Sequence, residues 1–129
     1  MLAVDTNVLA RLLLADEPGQ TERAAAALRG RRWLITLTVL LETEWVLRSA
    51  GGLPRSNVLR SLRAVVGLQG AVVERAELVE SALTDFEAGV DFADALHLRG
   101  AAGCEAFLTF DRRLLRAAVD LDTVPVREP

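Results

Sequence analysis

The sequence contains no lysine; all 15 of its basic residues are arginine. That absence excludes a Walker A loop, a Schiff-base enzyme and any phosphoryl-transfer site built on an essential lysine. Cys104 is the sole cysteine, so neither a disulfide framework nor a thiolate zinc cluster is available. No G-x-G-x-x-G or G-x-S-x-G segment occurs, and His97 is the single histidine. Long apolar runs are missing too. The stretch from Ala10 to Ala15 is interrupted by Arg11, and a bilayer span needs roughly 20 apolar residues, so no membrane segment is expected. Met1-Leu2-Ala3-Val4-Asp5 reads as a strand from the start and leaves no room for a secretion signal. A cytoplasmic protein is therefore expected.

The formal net charge of −3 argues against a generic nucleic-acid binder, which carries a basic surface. Arginine nevertheless forms bidentate contacts with phosphate, so a local phosphate-facing patch stays open. At 129 residues, 51% of them hydrophobic and 26% charged, the chain suits one domain, residues 1–129, around one core.

Short apolar runs alternate with longer helical stretches. Strands are expected over Leu2–Val4, Trp33–Thr36, Ala71–Val73, Ala106–Phe110 and Val124–Val126. Helices are expected over Asn7–Leu14, Thr21–Leu28, Val39–Arg48, from Pro54 and Ser56 onward, around Leu78–Phe86, over Asp91–Ala102 and from Arg112. Pro18-Gly19 reads as a break between the first two helices. This alternation predicts an α/β sandwich with a mainly parallel sheet of roughly five strands.

In such sheets the ligand site lies beyond the carboxyl ends of the strands. Asp5 and Asp111 both follow predicted strands directly, which puts them on the same edge. Each equally suits the N-cap of the next helix, and the sequence leaves both roles open. Glu42 lies among Leu40, Leu41, Val46 and Leu47, so it is expected to be embedded and in need of a positive partner, with Glu44 the more exposed substitute. Asp91 and Asp94 stand three apart on one helix face. Asp91 suits a cap, whereas Asp94 has apolar neighbours in Ala93, Ala95 and Leu96. If these acids converge, two carboxylates about 5 Å apart repel by roughly 3 kcal/mol at an effective dielectric of about 20. A counter-ion would then be required, and oxygen-only ligands suit Mg²⁺ or Mn²⁺.

The residues Val4-Asp5-Thr6-Asn7-Val8-Leu9, Glu42 with Val46-Leu47, Asp91-Phe92-Ala93-Asp94-Ala95-Leu96-His97 and Leu108-Thr109-Phe110-Asp111 together resemble the PIN domain, and within it the VapC-type toxins of bacterial toxin–antitoxin pairs. The resemblance runs in order along nearly the whole chain. It implies a Rossmann-like, three-layer α/β/α sandwich and a Mg²⁺- or Mn²⁺-dependent endoribonuclease acting on RNA phosphodiesters, blocked by a small antitoxin and forming a homodimer. By position it makes Asp5, Glu42, Asp94 and Asp111 the catalytic, metal-holding quartet, with Thr6, Asn7, Asp91 and Thr109 in support. Some members carry a further acid where this chain has Arg113. Arg112 and Arg113 are candidate phosphate contacts. Two rivals remain: a PIN-like binding module without turnover, and an aspartyl-phosphate phosphatase at Asp5, disfavoured by Asn7 and the missing lysine. The other conspicuous residues read as structural. His97 is expected to pack, Cys104 to be a buried small hydrophobe, Trp33 and Trp45 to anchor a core or interface, and Asp16, Asp85, Asp120 and Asp122 to be loop or surface acids.

Overall fold

The computed structural model describes all residues from 1 to 129. They divide into two compact units, Met1–Ala76 and Glu77–Pro129. The class is α/β with parallel strands, as the alternation predicts, although the strands are short.

In the first unit, strand β1 (Leu2–Ala3) leads into helix α1 (Thr6–Leu14), followed by α2 (Pro18–Leu28), β2 (Trp33–Ile35), α3 (Leu37–Ser49), α4 (Arg55–Val66) and β3 (Ala71–Val73). The three strands form one parallel ladder in the order β1-β2-β3, with Leu2 opposite Trp33 and Trp33 opposite Ala71. Parallel neighbours need long crossovers, which the helices provide. Pro18-Gly19 does not break the chain between helices. Pro18 is the first residue of α2, where its missing N–H costs nothing, and Glu17 caps the helix by accepting from the Gly19 N–H.

The core of this unit is apolar and tightly enclosed: Leu9, Trp33, Ile35, Leu40, Leu47, Val58, Leu62 and Val65 are all buried. Gly70 turns the chain into β3 at φ +86°, and a β-carbon there would lie 2.1 Å from the Arg31 carbonyl oxygen. Only glycine allows this approach.

The second unit comprises α5 (Ala76–Glu87, whose first residue closes the first unit), α6 (Phe92–Gly100), β4 (Phe107–Leu108), α7 (Arg112–Ala118) and β5 (Val126–Arg127). Strands β4 and β5 pair in parallel. The five strands thus form a three-stranded and a two-stranded ladder rather than one continuous hydrogen-bonded sheet. Phe86 and Phe92 meet edge to face at 5.8 Å between ring centres, joining α5 to α6.

Asp85, expected at the surface, is instead 3% exposed. Arg99 of α6 holds it with two parallel bonds of 2.7 Å, from Nε and Nη2, and also donates to the Asp122 carbonyl at 3.0 Å. Donating to Asp85 raises the Arg99 pKa above its ordinary value. Cys104 is also corrected: it is exposed, in the turn between α6 and β4. Trp33 is a core residue as expected, whereas Trp45 is 57% exposed. His97 lies exposed on α6 rather than packed.

Candidate active site

Each parallel strand of the first unit ends on the same edge, and a polar residue follows each: Asp5 after β1, Thr36 after β2, Glu74 after β3. Asp5 is exposed and caps α1, its Oδ1 accepting from the Val8 N–H at 3.0 Å. The cap role is therefore real, but it occupies one carboxylate oxygen. Thr6 is buried beneath it, and Asn7 is exposed at the start of the helix. Asn7 and Val8 also line a groove of about 460 Å³ between α1 and α2, where Arg11 and Arg23 stand.

Glu74 escaped the sequence reading. Its Oε2 accepts from the Leu37 N–H at 2.7 Å, so the acid that ends β3 caps α3 alongside Thr36, whose hydroxyl accepts from Val39. The strand-end rule that singles out Asp5 applies equally to Glu74, which directly follows Ala71–Val73.

The expected burial of Glu42 and Glu44 is reversed. Helix α3 buries Leu40, Thr43, Glu44 and Leu47. Glu42 falls on the open side and is exposed, whereas Glu44 is 3% exposed and accepts from Arg48 Nε at 3.0 Å. The positive partner inferred for the embedded acid exists, but it serves Glu44. Accordingly, Glu44→Ala should cost about 1–3 kcal/mol, because it leaves a cavity and removes the bond from Arg48. Glu42→Ala should change stability by less than about 0.5 kcal/mol. Paired denaturant titrations check both, and equal losses would contradict the assignment of the two faces.

The second unit brings together Asp91, Asp94 and Asp111 electrostatically. Asp91 caps α6, accepting from the Asp94 N–H at 3.2 Å. The half-buried Asp94 carboxyl has its pKa raised above the ordinary carboxylate value, first by burial and then by the charges of Asp91 and Asp111; His97 partly opposes them. Asp111 is exposed and caps α7 through Oδ1, which accepts from Arg113 at 2.8 Å and Leu114 at 3.3 Å. Thr109 fixes the same turn, its hydroxyl accepting from the Asp111 N–H at 2.9 Å. Arg112 and Arg113 are exposed in the first turn of α7, and neither has an ion-pair partner.

The donor chemistry here fits a divalent cation. Asp94 and Asp111 present only oxygen, and a bound cation would offset the burial and the Asp91 and Asp111 charges that raise the Asp94 pKa. No three acidic, histidine or cysteine side chains already stand in ligand geometry, so the acids would have to close around an ion.

Compared with known families, residues 2–120 match the model described as PIN domain, across both units. No curated protein and no solved structure matches the chain.

Proposed function

The chain belongs to the PIN domain family, and on that premise we propose that it is a Mg²⁺- or Mn²⁺-dependent endoribonuclease, the toxin of a toxin–antitoxin pair. PIN domains are typically metal-dependent nucleases, hydrolases acting on nucleic acid. The observation that supports a cation at this site is the raised pKa of Asp94, caused first by burial and then by Asp91 and Asp111; the RNA and toxin parts of the reading rest on the resemblance of the motifs. Negative charge gathered against such a cost marks functional sites.

By family position, Asp5, Glu42, Asp94 and Asp111 are the residues that would hold the ion. A divalent ion held there would supply Lewis-acid activation of water and charge neutralisation at a phosphate. The chain's own residues prepare the site. Capping bonds on Oδ1 fix the Asp5 and Asp111 rotamers and leave each Oδ2 outside the cap. Thr109 locks the turn that presents Asp111. Asp91 anchors the first turn of α6, on which Asp94 sits. Thr6 and Asn7 support the start of α1, and Arg112 and Arg113 supply guanidinium donors for phosphate oxygens. A small antitoxin would block this edge, the protein would pair as a homodimer, and it would act in the cytoplasm. No helix is long and apolar enough to cross a membrane.

Incubation of the purified protein with structured RNA tests the proposal. Cleavage is expected with Mg²⁺ or Mn²⁺ and should fall to background in chelator. Failure to cut any RNA while the ion still binds would overturn it in favour of a binding module without turnover.

A further inference from the structure

A second cavity opens in the first unit at the opposite end of its strands. It measures about 480 Å³, within the range of small-molecule sites, and its accessible apolar wall includes Leu12, Ala25 and Leu68 above the buried Leu28 and Trp33. Arg29, Arg31 and Arg32 line it, each exposed. Other arginines have carboxylate partners: Arg11 with Asp16, Arg48 with Glu44, Arg99 with Asp85 and Arg127 with Glu105. None of these three makes an ion pair.

Arginine at a helix carbonyl end normally complements the dipole there. Arg29 does cap α2, but backbone bonds already serve the Ala25 and Leu28 carbonyls, from Arg29 to Ala25 at 3.1 Å and from Arg31 to Leu28 at 3.0 Å. Three full charges also exceed the half charge of a helix end. In a chain with a net charge of −3, this unpaired cluster is a local reversal of sign.

We infer that the cavity beside Arg29, Arg31 and Arg32 is an RNA-binding site distinct from the carboxylate edge, taking one unstacked nucleobase with its flanking phosphates on the guanidiniums. The inference rests on the ribonuclease reading and names a second contact for the same substrate. Single-stranded RNA is held by bases stacked on aromatic rings or guanidinium planes and by arginines on the backbone; with Trp33 enclosed, the exposed guanidiniums of Arg29, Arg31 and Arg32 are the planar groups on offer here. The spacing is compatible. Leu2 pairs with Trp33, and Asp5 lies three residues further along the strand direction, roughly 10 Å at about 3.3 Å per residue. One strand can therefore touch both ends.

Binding of the full chain to a short fluorescent single-stranded RNA in chelator tests this without turnover. The triple variant Arg29→Gln/Arg31→Gln/Arg32→Gln should weaken binding about tenfold or more and lower the slope of log affinity against log salt by about 2. Ala25→Leu, an exposed helix position on the cavity wall, should weaken binding to RNA but not to an abasic strand of equal length, and should leave the salt slope alone. An unchanged salt slope in the triple variant, or wild-type binding by both proteins, would overturn the inference. So would loss of poly-glutamate binding with RNA binding intact, which would assign the cavity to an acidic peptide. Metal-dependent cleavage by wild type is scored separately, so a ribonuclease without this second site is distinguishable from a protein that cuts no RNA.

Discussion

Asp94→Asn should reduce metal-dependent RNA cleavage by at least about 100-fold while making the metal-free protein more stable. The activity loss follows from removing a proposed ligand, since even outer-shell partners of a bound metal cost about 10–100-fold. The gain in stability follows from the electrostatics. Burial and the charges of Asp91 and Asp111 raise the Asp94 pKa above its ordinary value of 3.8. A carboxyl whose folded pKa is raised favours the native state when protonated, and that benefit is lost as pH rises through the folded value. At neutral pH the ionised wild type therefore carries a cost that Asn does not. The advantage of the variant should shrink on acidification and vanish below about pH 3.8, where both side chains are neutral. Saturating Mg²⁺ should reverse the order, because only the wild type gains the full binding free energy. Melting curves across pH, with and without Mg²⁺, check the sequence of effects. A variant no more stable than wild type at neutral pH without metal would show that these charges do not oppose one another. Asp5→Asn makes the companion measurement. Asn caps a helix about as well as Asp, so α1 should persist while cleavage falls; unimpaired cleavage would reduce Asp5 to a cap.

Asp85→Ala should destabilise the protein by about 3 kcal/mol, lowering Tm by about 10 °C. The carboxylate is almost wholly enclosed, and Arg99, with its side chain 25% exposed, would be left beside a cavity without its two bonds. The same arginine ties the Asp122 carbonyl, so its displacement also loosens the segment leading to β5. Asp85→Leu/Arg99→Met, which removes both charges and keeps the volume, should recover most of the loss. Chemical denaturation of the single and double variants decides the matter. A loss below about 0.5 kcal/mol for Asp85→Ala would mean that the pair is solvated and structurally idle.

The contrast between these two aspartates explains what was legible. Asp94 stands beside Asp91 in one helix turn, so local spacing reveals it. Asp85 is buried only because Arg99, 14 residues later, reaches it; a local reading sees an acid on an amphipathic helix and places it outside. The two glutamates of α3 failed for another reason. Apolar residues surround that helix on most sides, with Leu37, Leu41, Trp45 and Val46 outside the buried set, so periodicity does not choose a face. Packing chose it, enclosing Glu44 and leaving Glu42 open.

The absence of lysine, the one histidine and the strand–helix alternation determined the excluded chemistries and the α/β class, because these depend on composition and local period. The same local rules set the caps at Asp5, Asp91 and Asp111, where a short side chain bonds its own next turn. The tertiary structure alone decided which acids are enclosed, which arginines stay unpaired, and that Glu74 reaches from β3 to cap α3. Those outcomes depend on residues distant in sequence meeting in space, and on the cost of burying a charge without a partner.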